Sequence, residues 1–259
     1  MTSPKTHTHL LVEIDVISRV TLNRPEVRNA FNEELLQELT DVFEHLNNSE
    51  KCRVIVLQGK GKSFCAGADL NWMKSMVSFT YEENVKDSSR LAKMLNTIYK
   101  CSKPVIAKIE GDVYAGGVGL AAVCDILVAS SNVRFCISEA KLGLLPATIS
   151  PYVIKALGEQ ACRRFFLTAE TFTAQKAYEL GFVHELSTPE MVEAKVLELC
   201  NSILNNAPQA LTKCKQLIQD IAPLELSDEL IDETIARIAE IRTSTEAQAR
   251  MKTFLEKTK

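Results

Sequence analysis

Residues 53–73 read RVIVLQGKGKSFCAGADLNWM and join an apolar run to a loop of small residues. The opening RVIVL is typical of a strand that is buried on both faces of a sheet. Gly67 then follows between Ala66 and Ala68, and a loop of such small residues lets a ligand approach the backbone closely. The stretch therefore predicts a buried strand that ends in a candidate binding loop.

Strand and helix patterns alternate on both sides of this stretch. Residues 10–22 are rich in Val, Ile and Leu and predict one or two strands, and residues 104–109 and 126–129 predict two more. Residues 32–46 carry apolar side chains at helical spacing, and Asn32 at their start predicts a capped helix. Strands separated by helices of this length indicate ββα or βαβ repetition and an α/β layered core.

The second half of the chain changes to a helical pattern after about residue 150. Periodicity predicts five helices, over 158–169, 173–180, 189–205, 207–221 and 224–257. The apolar stripe of the last one is too thin to form a separate core. We therefore expect a core over residues 1–195 that carries the functional site. A helical region over residues 196–259 should pack on that core or on another subunit.

Composition excludes several classes of function. The chain has 259 residues, of which 46% are hydrophobic and 24% charged, with a net charge of −3, and this acidic balance argues against nucleic acid as a partner. No apolar run reaches the ~20 residues that span a bilayer, and the first residues lack the apolar segment of an export signal. The eight cysteines form neither a CxxC pair nor a zinc-type spacing. We expect a cytoplasmic protein with no membrane contact and no metal.

A second small-residue loop follows another predicted strand. Residues 109–125 read IEGDVYAGGVGLAAVCD, and Gly116 and Gly117 stand where a helix is expected to begin. The first N–H groups of a helix lack internal acceptors. Two such loops side by side would aim two N–H groups at one carbonyl oxygen and stabilise an oxyanion, with Ala68 and Gly116 best placed to donate. The competing interpretation is that these glycines only form tight turns.

One acidic residue stands out in a third segment. Residues 133–153 read VRFCISEAKLGLLPATISPYV, in which Glu139 is the only acid. In an apolar pocket its pKa would be raised and it would serve as a general base or acid. The alternative is a glutamate that only interacts favourably with a helix N-terminus.

Taken together, these segments resemble the crotonase (enoyl-CoA hydratase/isomerase) superfamily. The matching segments, in chain order, are TLNRPEVRNAFN (21–32), FCAGADL (64–70), GGVGLAAVCD (116–125), SEAKLGLLP (138–146) and EAQARMKTFLEKTK (246–259). Their order and spacing match the family nearly from end to end. The resemblance implies a spiral of ββα units with a C-terminal helical region for trimerisation.

The resemblance also implies roles for individual residues. Ala68 and Gly116 would form the oxyanion hole for a thioester carbonyl, and Glu139 would be a catalytic acid or base. Positions that match substrate-binding residues of the family are Arg28, Ala30, Ala66, Asp69, Leu70, Gly119, Phe254 and Lys257. The last two would reach the nucleotide of a neighbouring subunit, which implies trimers that often pair into hexamers. The partner would be an acyl-CoA substrate, and no separate cofactor is implied.

The chain departs from the family at one catalytic position. Typical hydratases carry a second glutamate in the segment GGxxEL, whereas here the residue is Gly119. Three interpretations stay open: an enoyl-CoA hydratase, a Δ3,Δ2-enoyl-CoA isomerase with Glu139 as its single base, and a CoA-thioester-binding protein without catalysis. The segments 66–76 and 143–153 look like those of bacterial methylglutaconyl-CoA or γ-carboxygeranoyl-CoA hydratases, which favours hydration and a role in leucine degradation.

Overall fold

The computed structural model describes residues 7–257 and contains two sheets with helices packed around them. The strands are β1 (Leu10–Glu13), β2 (Ile17–Leu22), β3 (Val54–Gly59), β4 (Ser63–Cys65), β5 (Val105–Ile109), β6 (Asp112–Tyr114), β7 (Ile126–Ser130), β8 (Arg134–Cys136), β9 (Thr171–Thr173) and β10 (Glu185–Ser187). The helices are α1 (Glu33–Asn48), α2 (Leu70–Met76), α3 (Tyr81–Tyr99), α4 (Gly116–Ala122), α5 (Ser150–Leu157), α6 (Glu159–Thr168), α7 (Ala174–Glu179), α8 (Val192–Leu204), α9 (Pro208–Ile221), α10 (Asp228–Thr243) and α11 (Thr245–Lys257).

Three successive pairs of strands each contribute one strand to each of the two sheets. The six-stranded sheet has the order β1-β2-β3-β5-β7-β10 and the four-stranded sheet has the order β4-β6-β8-β9. Each of β3, β5 and β7 is followed within a few residues by its short partner β4, β6 or β8 in the other sheet, and helical structure comes next. This confirms the predicted ββα repetition and the α/β class.

The apolar run at the start of the quoted stretch is buried on both faces, as its composition predicts. Ile55 and Leu57 point into the main core, between the sheets and their helices. Val54 and Val56 point the other way, into a smaller cluster with Val196 of α8. Strand β3 therefore lies inside the molecule, with the parallel neighbours β2 and β5 on its two edges.

The C-terminal helices differ from the sequence prediction in one respect. The predicted single helix over 224–257 is two helices, because Ser244 adopts an extended backbone and its hydroxyl oxygen accepts a hydrogen bond from the N–H of Ala247. The prediction was wrong there because serine is also tolerated within a helical pattern. The predicted boundary at residue 195 falls inside α8, whose apolar face packs on the six-stranded sheet.

An ion pair between a buried lysine and a more exposed aspartate attaches the helical region to the core. The Nζ of Lys215 on α9 lies 2.7 Å from the Oδ2 of Asp125 and also donates to the carbonyl of Lys103. Lys215 is only 9% exposed. Within residues 7–257, no helix is both long and apolar enough to cross a membrane.

Candidate active site

Three loops meet at one edge of the four-stranded sheet. Strands β4 and β6 are parallel and align Cys65 with Val113, while β6 and β8 are parallel and align Tyr114 with Cys136. The carboxyl ends of parallel neighbours lie at the same edge. The loop with Ala68, the loop before α4 and the segment that leads to Glu139 therefore lie side by side.

The first two loops approach each other closely at Gly67. A Cβ atom placed on Gly67 would lie 2.9 Å from the Cβ of Ala115 and 3.4 Å from the nitrogen of Gly116. Gly67 has φ +85°, and Ala115, just before α4, has φ 47°. Position 67 thus combines a left-handed backbone with a contact that leaves no room for a side chain. Both conditions require glycine there.

Two backbone amides at this contact remain available to a ligand. The bridge between Phe31 and Ala68 uses the carbonyl of Gly67 and the N–H of Asp69, which leaves the N–H of Ala68 outside it. Gly116 is the first residue of α4, so its N–H has no acceptor within the helix. Over residues 7–257, neither amide donates to a backbone carbonyl. Two neighbouring donors of this kind suit an oxygen that becomes negatively charged during a reaction.

A partly buried arginine holds the first loop in place. The guanidinium of Arg24 lies 2.9 Å from the Oδ2 of Asp69 and also donates to the carbonyl of Ala30. The other carboxylate oxygen of Asp69 accepts from the N–H of Asn71 and caps α2. Burial alone would raise the pKa of Asp69, but the Asn71 N–H and the Arg24 guanidinium lower it overall. The carboxylate of Asp69 is therefore committed to the protein.

Asn29 completes this support, and sequence reasoning missed it together with Arg24. The side chain of Asn29 is fully buried, accepts from the N–H of Arg24, and donates to the carbonyls of Lys60 and Ser63. Its backbone is left-handed at φ 55°, which asparagine tolerates better than most residues. Both residues belong to segment 21–32, which the sequence analysis identified as a family motif. The predictions for that segment covered only substrate contacts, at Arg28 and Ala30, and no supporting role.

One oxygen of the Glu139 carboxyl group, Oε2, is buried without a hydrogen-bond partner among the described residues. Glu139 follows β8 directly after Ile137 and Ser138 and begins a turn of 3₁₀ helix. Burial raises the pKa of this carboxyl group above its ordinary value, against a smaller opposing effect of its own backbone N–H. A buried, unpaired carboxyl oxygen suits proton exchange with a bound ligand.

The position of the absent second glutamate is filled by a neighbouring side chain. A Cβ atom on Gly119 would lie 2.2 Å from the Cγ2 and 2.6 Å from the Cβ of Ile149. Ile149 is 2% exposed and stands immediately before α5. The side chain of Ile149 therefore fills the volume that a side chain at position 119 would need.

The remaining predicted contact residues divide between the loop cluster and the last helix. Arg28 is exposed, and its carbonyl accepts from the N–H of Ala66, which places it beside the first loop. Ala30 is buried, whereas Leu70 is 75% exposed at the start of α2. Phe254 and Lys257 lie on α11. That helix is attached to the end of α8 and the start of α9. Arg250 donates to the carbonyl of Asn205, and Glu246 accepts from the N–H of Gln209.

Two other conspicuous side chains have structural contacts. The indole N–H of Trp72 donates to Asp87, which is 6% exposed, and this hydrogen bond joins α2 to α3. The Nδ1 of His184 accepts from the N–H of Leu127 next to the sheet edge. Neither side chain belongs to the three-loop cluster described above.

The environment of Glu139 predicts an effect on stability. Burial raises the pKa of Glu139 in the folded state above its value in the unfolded state. The free energy of unfolding of the wild type therefore falls as the pH rises from the unfolded-state pKa through the folded-state pKa. The Glu139→Gln variant lacks this ionisation. Its free energy of unfolding should exceed that of the wild type at neutral pH, and the difference should vanish in acid, where the wild-type carboxyl group is protonated in both states.

Urea unfolding across pH measures this difference, with the exposed Glu50→Gln as the control variant. A gain that is the same at every pH, or an equal gain for Glu50→Gln, would contradict the unfavourable burial of the Glu139 carboxylate.

The chain matches a known protein family over nearly its whole length. The enoyl-CoA hydratase/isomerase family model matches residues 14–259. A putative enoyl-CoA hydratase of Thermus thermophilus is 31% identical over 246 residues, which are 95% of this chain and 97% of the relative.

Solved structures give the same result. A putative enoyl-CoA hydratase/isomerase (crotonase) of Legionella pneumophila is 43% identical with a TM-score of 0.91, and the match covers 97% of this chain and 98% of the other. An enoyl-CoA hydratase of Shewanella pealeana is 37% identical with a TM-score of 0.94, over 98% and 95% of the two chains. The chain belongs to the enoyl-CoA hydratase/isomerase family, the crotonase superfamily of enzymes.

Proposed function

We propose that the chain is an enoyl-CoA hydratase that uses one carboxylate, Glu139, for both proton transfers. The single observation that carries the proposal is the buried, unpartnered Oε2 of Glu139, on a segment that strand pairing places next to the loops with the two free backbone amides. The thioester carbonyl oxygen would accept from the N–H groups of Ala68 and Gly116. Charge that develops on this oxygen would then be stabilised by about 3–4 kcal/mol per donor.

The reaction balances with one acid–base group. Ionised Glu139 accepts a proton from water while the water oxygen forms a bond to C3 and the double-bond electrons move toward the thioester carbonyl. The resulting enolate is held by the two amides. Glu139 then returns its proton to C2, which restores the carboxylate and leaves a 3-hydroxyacyl thioester. The raised pKa of Glu139 makes its protonated form a weaker acid and its ionised form a stronger base than an ordinary carboxylate.

The coenzyme A moiety would lie along the first loop. Arg28 is exposed beside Ala66 and offers a cation for phosphate. The carboxylate of Asp69 is occupied by Arg24, so contacts at Asp69 would come from the backbone, with Ala30 and Leu70 as apolar neighbours. Gly119 would line the acyl end. Coenzyme A is part of the substrate, so the proposed reaction needs no other cofactor.

The proposed substrate is 3-methylglutaconyl-CoA, and the proposed pathway is leucine degradation. Support comes from segments 66–76 and 143–153, which resemble those of hydratases for branched, carboxylated enoyl thioesters. A cytoplasmic setting is supported by the eight free thiols, seven of them buried, since free cysteines are typical of reducing compartments.

A Δ3,Δ2-enoyl-CoA isomerase is the second candidate. The observation that favours it is the contact between Gly119 and Ile149, which leaves no room for a second carboxylate to hold water. Moving a proton from C2 to C4 requires one base and an oxyanion hole but no water. The same three loops would supply both.

Heavy-oxygen water separates the candidates. Crotonyl-CoA, 3-methylglutaconyl-CoA and a 3-enoyl-CoA are incubated in parallel, and the two 2-enoyl thioesters should give products with heavy oxygen at C3, as read by mass spectrometry. Glu139→Gln should retain coenzyme A binding and lose at least ~100-fold in turnover, because one acid–base group typically contributes that much.

The other outcomes are equally informative. Conversion of the 3-enoyl thioester to the 2-enoyl thioester without oxygen uptake would assign the isomerase instead. Near-normal turnover by folded Glu139→Gln would refute the role of this residue. Thioester binding without turnover of any of the three substrates would leave a non-catalytic binding protein.

The helical region, beyond the core, is proposed to form a trimer, with pairs of trimers as hexamers. Helix α11 buries none of its residues, and α10 buries only Leu230. Ile231, Ile235 and Ile238 are 43%, 57% and 46% exposed along one stripe of α10. An apolar stripe of this kind is typical of a surface that another chain covers. In such an assembly Phe254 and Lys257 of a neighbouring copy would approach the bound nucleotide.

A charge on that stripe should break the assembly. Wild type should have the mass of three or six chains of 28.8 kDa by light scattering. Ile235→Asp should shift the mass toward one chain, while Ala236→Asp, which adds the same charge to an exposed site off the stripe, should not. Equal masses for the two variants would contradict the role of the stripe.

A further inference from the structure

Position 119 lies on the same face of helix α4 as Gly116, the proposed oxyanion donor. Gly116 and Gly119 are three residues apart in α4, and residues at this spacing are neighbours on one side of a helix. A side chain at 119 would therefore project one turn along from the amide that is proposed to hold the substrate oxygen. In this chain the position carries no side chain at all.

Ile149 occupies the volume into which such a side chain would project. Its Cγ2 would lie 2.2 Å from a Cβ at 119, far closer than atoms approach without a shift of the structure. The backbone of Ile149 is fixed as well, because its carbonyl accepts from the N–H groups of Tyr152 and Val153 at the start of α5. The side chain is 2% exposed and belongs to the main apolar core. Ile149 thus has little freedom to move aside.

The same loop joins this side chain to the catalytic carboxylate. Glu139 begins the segment that runs to α5, and Ile149 ends it. Isoleucine is apolar and cannot accept a hydrogen bond from water. It therefore closes a volume in which a second carboxylate, or a water molecule held by one, would otherwise lie.

We propose that Ile149 is a specificity-determining residue, which keeps the site to a single carboxylate and so sets the ratio of hydration to double-bond migration. This inference rests on the proposed enoyl-CoA chemistry. The packing of Ile149 against Gly119 makes the two positions interdependent, so a carboxylate at 119 requires a smaller residue at 149. The sequence alone shows Gly119 but does not show its contact with Ile149.

The test introduces a carboxylate together with the space for it. The double variant Gly119→Glu/Ile149→Gly is compared with its neutral, equally large control, Gly119→Gln/Ile149→Gly. The measured quantity is the rate of heavy-oxygen uptake from a 2-enoyl-CoA divided by the rate at which a 3-enoyl-CoA is converted to the 2-enoyl thioester. The carboxylate variant should exceed its amide control in this ratio by at least ~10-fold, since a positioned acid–base group typically contributes ~100-fold or more.

A second pair guards against failure to fold. Ile149→Asp and Ile149→Asn place a carboxylate or an amide in the same volume without a change at Gly119, and the same ratio is measured. Equal ratios within a folded pair would overturn the inference. Wild type is measured alongside, so a wild type that converts neither thioester refutes the proposed function, whereas an active wild type with equal ratios refutes only the role of Ile149.

Discussion

The close approach of two backbone segments, at Gly67 and at Ala115–Gly116, is the constraint on which the site depends. It exists because β4 and β6 are parallel neighbours, so their carboxyl ends deliver both loops to one edge of the four-stranded sheet. The contact leaves space for a hydrogen atom at position 67 and for nothing larger. The N–H groups of Ala68 and Gly116 at this contact donate to no backbone carbonyl among the described residues, so they are available to the proposed substrate oxygen.

The polar groups that support this arrangement are satisfied by hydrogen bonds, whereas the carboxyl group of Glu139, the proposed acid–base group, is not. Arg24, Asn29 and Asp69 are partly or fully buried, and their hydrogen bonds join the segment before α1 to the first loop. Glu139, in contrast, has a buried carboxyl oxygen with no described partner. Unsatisfied buried polar groups destabilise a fold, and they persist where function requires them. This contrast separates the residues that hold the loops in place from Glu139, the residue proposed to transfer protons.

The long elements could be predicted from the sequence, and the short ones could not. The runs that became β3 and β7 hold four consecutive apolar residues, and those that became β2 and β5 are rich in branched apolar residues, so their composition identifies them. Strands β4, β6 and β8 have three residues each, too few for any periodicity, yet they set the order of the three loops. The three loops of the candidate site could be predicted from their small residues and from Glu139. The break at Ser244 and the packing of Ile149 on Gly119 depend on backbone geometry and on contacts across 30 residues, which no local pattern reveals.

The central claim, that two amides and one carboxylate act on the carbon next to a thioester, has a direct test that does not depend on hydration or isomerisation. A saturated thioester such as butyryl-CoA is incubated in heavy water, and deuterium uptake at C2 is followed by mass spectrometry. The account predicts uptake with wild-type protein and with Glu50→Gln, and its loss with Glu139→Gln, because Glu139 would remove the proton while Ala68 and Gly116 stabilise the enolate. Uptake at the wild-type rate by folded Glu139→Gln, or none by wild type that binds the thioester, would contradict it.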